Sequence, residues 1–171
     1  MLTVVAAAQN TVPVTVEITL TEMLDEPRGL CIDIVGWQTR ANPAQGLQAH
    51  TCYSYQGTIA ADQGFDASRL ARGEFRLPAF DVCMTHRDHH PGAQLTLAAC
   101  DESTPQMFEL RPDGRIATRQ ASALCLTVSD SPSRPGGGGQ PPHLIRPLIL
   151  EPCADERLRF QRWQLRPGLA R

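Results

Sequence analysis

The feature that most constrains this chain is a threefold recurrence built on its cysteines. They stand at positions 31, 52, 83, 100, 125 and 153. The first of each successive pair lies in a short apolar run: "LCIDIV", "DVCMTH" and "LCLTVS". The second ends another: "LQAHTC", "QLTLAAC" and "LILEPC". Behind each second cysteine come a glutamine, any residue and an aromatic, as Gln63-Gly64-Phe65, Gln106-Met107-Phe108 and Gln161-Arg162-Trp163. One motif in one order, three times over, is an internal repeat whose copies share a common core. Of the many connectivities open to six cysteines, the repeat selects Cys31–Cys52, Cys83–Cys100 and Cys125–Cys153. Each bridge closes a loop inside its own unit, and each is expected to contribute roughly 3 kcal/mol on the chain-entropy account. The absence of any CxxC spacing argues against a zinc ribbon or a thioredoxin-like motif. Disulfides imply an oxidising compartment, so a secreted or periplasmic location is expected.

The local patterns are those of short strands. In "TVPVTVEITL", Val12, Val14, Val16, Ile18 and Leu20 fall on one face and Thr11, Pro13, Thr15, Glu17 and Thr19 on the other. Glycine and proline supply 13 and 14 residues, a turn-rich composition that suits short strands better than a helical bundle. Phe65, Phe108 and Trp163 are predicted core anchors, one per repeat. A length of 171 residues fits a single domain. It is placed at 11–171, with repeats at about 11–70, 71–111 and 112–168. Residues 1–10, with an apolar run ending in Ala6-Ala7-Ala8, read as a signal-peptide remnant or the front of a strand. No segment has the length of a membrane span. A net charge of -2 carries no electrostatic footprint for nucleic acid.

The threefold pattern over roughly Leu20 to Leu165 resembles the ricin-type β-trefoil lectins and the carbohydrate-binding modules related to them. The resemblance implies an all-β trefoil of twelve strands with pseudo-threefold symmetry, four strands per repeat. "EFRL" (Glu74–Leu77) and "GRIAT" (Gly114–Thr118) would open the second and third repeats. It also implies sugar binding in shallow pockets, up to one per repeat. Such a pocket uses an Asp two residues after the first cysteine, and a Gln and an aromatic four and two residues before the second. An Asn or Asp beside the Gln of Gln-x-Trp completes it. In the first repeat these positions hold Asp33, Gln48, His50, Asp62 and Gln63. If the two cysteine-bearing strands are antiparallel with Cys31 opposite Cys52, Asp33 falls opposite His50 on the same face, with Gln48 next in that row.

The chemistry suits a polyhydroxylated ligand. A carboxylate accepts charge-assisted hydrogen bonds from hydroxyls, and an amide both donates and accepts, as a hydroxyl does. His50 stands where many members carry an aromatic platform, which makes the platform weaker or pH-sensitive. Trp37, Tyr53 and Tyr55 lie in adjacent loops, and Trp37 is the favoured replacement face. The second and third repeats offer Thr85, Thr96 and Ala98, and Thr127, Ile149 and Glu151, at the three strand positions. One working pocket is therefore expected, in the first repeat. A single shallow pocket binds at about the millimolar level, so oligomers or fusion to another domain would supply avidity.

Other readings are weaker. "THRDHH" (Thr85 to His90) carries metal-ligand types, but adjacent residues in a loop seldom converge on one ion, and no metal or other cofactor is expected. "SPSRPGGGGQPP" (Ser131 to Pro142) reads as a mobile surface insertion in the third repeat. GxSxG, HExxH and phosphate-loop motifs are absent, so an enzyme is not expected. The serious rival is a non-catalytic trefoil used as an interaction or targeting subunit, without a sugar site.

Overall fold

A computed structural model describes residues 14–168. Residues 1–13, with the signal-remnant reading and the front of the alternating segment, lie outside it. Thirteen strands are present among the described residues. The first repeat has β1 (Thr15–Leu20), β2 (Leu30–Ile34), β3 (Leu47–Thr51) and β4 (Phe65–Asp66). The second has β5 (Arg76–Leu77), β6 (Val82–His86), β7 (Leu95–Ala99) and β8 (Phe108–Leu110). The third has β9 (Ile116–Thr118), β10 (Leu124–Val128), β11 (Arg134–Pro135), β12 (Leu144–Pro152) and β13 (Trp163–Pro167). Removing β11 leaves four strands per repeat, the arrangement of a β-trefoil. The extra strand lies inside the glycine-rich insertion and pairs with β12, Arg134 opposite Ile145.

The last strand returns to the first. β13 runs antiparallel to β1 from Val16↔Pro167 to Leu20↔Trp163. Isolated bridges Glu74↔Met107 and Arg115↔Arg162 tie the openings of the second and third repeats into the same barrel. Phe65, Phe108 and Trp163, the three repeat-end aromatics, are all buried. Phe75 lies between two of them, edge-on at 6.3 Å from Phe65 and 5.6 Å from Phe108. Trp163 donates its indole N–H to the Leu126 carbonyl at 3.0 Å, so its one polar atom is satisfied inside the core.

All three disulfides form as the repeat predicts: Cys31–Cys52, Cys83–Cys100 and Cys125–Cys153. The second half of the repeat motif acts beside each. Gln63, Gln106 and Gln161 accept the backbone N–H of Tyr53, Asp101 and Ala154, the residues just after the second cysteines. Their amide N–H groups donate to the carbonyls of Thr51, Ala99 and Pro152, just before those cysteines. Each glutamine thus clamps the chain as it leaves the sheet. Buried backbone groups need such partners, which explains why the motif recurs in all three units.

Two expectations of position change. Thr85 and His86 close β6 rather than lying in a loop, and His86 is buried edge-on against Phe108 at 5.6 Å. The glycine-rich insertion is tied down rather than loose. Ser133 bonds Asp25, Arg146 pairs with Asp25 at 2.9 Å and bonds Ser133, and Arg28 donates to the carbonyls of Pro141 and Pro142. Polar side chains distant in sequence hold what its composition alone would leave mobile.

Candidate functional site

The site begins with the register of β2 against β3. Cys31 pairs with His50 and Asp33 with Gln48. This is two residues away from the pairing expected with the cysteines opposite one another. The reason is that Cys52 lies just beyond β3, so the disulfide runs diagonally from its strand. A two-residue shift preserves the face, so Asp33, Gln48 and His50 stay on one side of the sheet. The same offset holds in the other repeats, with Cys83↔Ala98 and Thr85↔Thr96, and with Cys125↔Glu151 and Thr127↔Ile149.

β12 extends this face, with Ile145 opposite His50 and Pro147 opposite Gln48. Above it lies a cleft of about 690 Å3. Its floor carries Gln48, His50, Tyr53 and Ile145. One wall is the loop bearing Trp37 and Gln38, and the other is the third-repeat insertion with Arg134 and Gly136 to Gly139, which returns to His143. The cleft is therefore shared between two repeats.

Three of the six residues expected at the site line this cleft: Trp37, Gln48 and His50. The other three, Asp33, Asp62 and Gln63, sit behind its wall and are 0% exposed. Both carboxylate oxygens of Asp33 are engaged, Oδ1 by the Gln48 amide at 2.9 Å and Oδ2 by the Gln63 amide at 3.0 Å. Burial, with the neighbouring Asp62 charge, holds the Asp33 pKa well above the ordinary carboxylate value. Asp33 fixes the Gln48 amide by taking its N–H, which leaves the Gln48 carbonyl as that side chain's acceptor. Asp62 accepts the backbone N–H of Gln38 through Oδ2, while Oδ1 has no partner. Gln38 has a left-handed backbone, φ 47°, so this bond pins a strained turn and with it the adjacent Trp37. Burial raises the Asp62 pKa to about 6.

Trp37 is 50% exposed, with the Arg40 guanidinium over one ring face at 4.3 Å from the centroid. A guanidinium on one face and an open second face make a rigid platform. His50 is less suited to that role. Its ring stacks on Tyr53 at 5.1 Å and meets His143 edge-on at 5.2 Å. Its Nδ1 lies 2.8 Å from the Thr51 carbonyl, which places the proton there and leaves Nε2 as an acceptor. Burial lowers the His50 pKa to about 4, so the ring is neutral at physiological pH.

His143, Arg134 and the glycines are functional candidates that sequence reasoning missed. The Gln56 amide donates to the Tyr55 oxygen at 2.9 Å, and the Tyr55 hydroxyl and His143 Nε2 share a hydrogen bond of 2.7 Å. His143 Nδ1 is buried and has no partner. Gly139, at φ 78°, packs so closely that a Cβ there would lie 2.5 Å from the His143 ring. The only advance signal was the insertion's length. Neither three-ligand metal cluster among the described residues lies here, and both consist of a glutamate with two disulfide-bonded cysteines, which offer no thiolate.

Among known proteins, the sequence profile described as the ricin-type beta-trefoil lectin domain matches residues 20–138. The chain belongs to this family. No curated protein sequence matches it. Solved structures resemble it at low identity. The agglutinin from Abrus precatorius is similar at 17% identity and a TM-score of 0.57, over 92% of this chain and 48% of that one. The chain therefore spans about half the length of the Abrus protein. The β-trefoil lectin of the Vibrio vulnificus hemolysin/cytolysin, solved with N-acetyl-D-lactosamine bound, is similar at 16% identity and a TM-score of 0.53. That match covers 94% of this chain and 99% of that one. These likenesses establish the trefoil fold. Among the described residues no helix is long and apolar enough to cross a membrane.

Proposed function

We propose that this ricin-type lectin domain binds carbohydrate, without catalysis, in the cleft of its first repeat. The observation that carries the reading is the juxtaposition of an exposed, rigidly held Trp37 with Gln48 and His50, whose hydrogen-bonding groups are oriented from behind. A pyranose presents an apolar C–H face to the indole and a rim of hydroxyls to the amide and imidazole. Asp33, Asp62 and Gln63 act as positioning residues in this scheme. Asp33 sets Gln48, Asp62 sets the Trp37 loop, and Gln63 holds Asp33 and the chain after β3. In the second repeat Thr85 and Thr96 replace the acid–amide pair, and in the third Thr127 and Ile149 do so. Family membership and the lactosamine-bound Vibrio relative support a sugar as the ligand class. Three disulfides and the lectin family support secretion into an oxidising space.

The test is a panel of neutral and charged glycans and polysaccharides, read by calorimetry or array, on the wild type and on Trp37→Ala and Gln48→Ala. Trp37 is half exposed, so its removal leaves the core intact. Binding that falls at least tenfold in both variants supports the first-repeat cleft. Binding indifferent to both places the sugar elsewhere on the trefoil. No binding across the panel favours an interaction subunit.

A further inference from the structure

Arg134 is not part of the pattern that marks the first-repeat pocket. It comes from the third repeat, on the short strand β11, and the sheet delivers it to the cleft. Across β3, β12 and β11, His50, Ile145 and Arg134 stand directly opposite one another in turn. Residues facing one another in antiparallel ladders project to the same side, so the three form one row on the cleft face. With about 4.8 Å between neighbouring strands, the Arg134 backbone lies about 10 Å from that of His50. That span is near the breadth of one sugar ring, and the arginine side chain reaches across part of it.

The charge inventory singles this residue out. The cleft lining contains no aspartate or glutamate, and Arg134 is its one permanently charged group. Two acids beside the insertion are engaged, Asp25 by Ser133 and Arg146 and Glu26 by Arg28 and Thr51. Asp33 and Asp62 are sealed behind the wall. The other arginines around the cleft are also occupied, Arg28 with Glu26, Arg146 with Asp25 and Arg40 on the Trp37 ring. Arg134 is exposed, and its side chain has no hydrogen-bond or ion-pair partner among the described residues. A planar, always-charged fork, unpaired at the mouth of a cleft without anions, matches the geometry of a carboxylate or sulfate.

We infer that the cleft prefers an anionic saccharide, in which a pyranose rests on Trp37 and a carboxylate or sulfate substituent pairs with Arg134. This rests on the first-repeat cleft being the sugar site, and it adds the ligand's charge and the repeat that reads it. The test measures affinity for three polymers of related backbone: a neutral galactan, polygalacturonate and a sulfated galactan. The proteins are the wild type, Arg134→Gln, Arg134→Lys and Arg87→Gln, the last removing an exposed arginine of the second repeat as a control for general charge. The wild type should prefer at least one acidic polymer over the neutral one by tenfold or more. Arg134→Gln should abolish that preference, Arg134→Lys restore part of it, and Arg87→Gln leave it. Which acidic polymer responds distinguishes carboxylate from sulfate. An equal acidic-to-neutral ratio in wild type and Arg134→Gln overturns the inference while leaving the lectin reading in place. A preference lost equally in Arg87→Gln also overturns it, since the effect is then general charge. Failure of all three polymers to bind overturns the inference for these acidic polymers, and the glycan panel then decides the lectin reading separately.

Discussion

Asp62→Asn tests whether the wall beneath Trp37 is sealed. Asp62 has an ordinary pKa of 3.8 and about 6 in the folded protein, because burial disfavours its charge. A folded-state value above the unfolded one contributes stability that is complete below about pH 3.8 and is lost as the pH rises through about 6. At about 1.4 kcal/mol per unit, the contribution is about 3 kcal/mol. Asparagine keeps an acceptor for the Gln38 N–H and does not titrate. The wild-type stability minus that of Asp62→Asn should therefore fall by about 3 kcal/mol between pH 4 and pH 7. It should be flat above pH 7. Asp33, whose raised pKa is due in part to Asp62, adds a change of the same sign. His50 works in the opposite direction. Its pKa drops from 6.5 to about 4, so its contribution is present above pH 6.5 and lost as the pH falls through about 4. The wild type minus His50→Gln should therefore rise by about 3 kcal/mol over that window. Urea unfolding with the disulfides intact, at constant ionic strength and half-unit pH steps, measures both curves. A difference curve for Asp62→Asn that is flat or rises with pH would refute the reasoning. It would mean that Asp62 is ionised and solvated in the native state and that the wall beneath Trp37 is open.

Further expectations concern the repeat clamps, the insertion and the bridges. Gln106→Ala removes hydrogen bonds to Asp101 and Ala99 and should cost about 2–4 kcal/mol in urea unfolding. Sugar binding should be unaffected, because Gln106 lies in the second repeat. Gly139→Ala places a methyl group against the His143 ring at a left-handed backbone position. It should lower the melting temperature by several degrees and weaken ligand binding, with loss of the Tyr55–His143 contact visible in the His143 NMR shifts. Replacing Cys83 and Cys100 together by serine should cost roughly 3 kcal/mol and leave the first-repeat cleft formed, as read by unfolding and by glycan binding.

The fold was legible because it is written three times. One Gln-x-aromatic triplet says little, but three behind three cysteine pairs specify the bridges and the anchors, and the resemblance they carry to the ricin-type trefoils implies the strand arrangement. Gln63, Gln106 and Gln161 carry that signal because they meet the same backbone need in each unit, and a buried N–H and carbonyl cannot go unpaired. The site was legible only in part, for a related reason. Asp33, Gln48 and His50 occupy alternate strand positions, so the face they share follows from the two-residue period. Their depth does not. Whether Asp33 meets solvent depends on Gln48 and Gln63 closing over it, and that is a property of packed side chains rather than of spacing. Register also escaped local reasoning, because Cys52 lies beyond its strand and the bridge is diagonal. The largest omission, Arg134 and His143, sits in a stretch whose glycines and prolines say only that it is not regular. Asp25, Arg28 and Arg146 hold it, and they come from 108 or more residues away or from the strand it pairs with.

The unequal repeats have a physical logic. A trefoil whose units are all alike needs only the clamps and anchors to close its barrel, and those are present in every repeat. A binding cleft needs more. It takes a buried acid to orient an amide, a strained turn to present an indole, and a second wall. The first repeat carries the first two, in Asp33 with Gln48 and in Asp62 with the Trp37–Gln38 turn. The third supplies the wall by inserting chain between β10 and β12 at the edge nearest β3. Buried carboxylates with raised pKa values oppose stability at neutral pH, so they would be a liability where no site required them. The uncharged Thr85–Thr96 and Thr127–Ile149 pairs avoid that cost at the corresponding positions. The presence of Asp33 and Asp62 in one repeat, despite their cost to folding, therefore supports the proposal that this repeat holds the ligand.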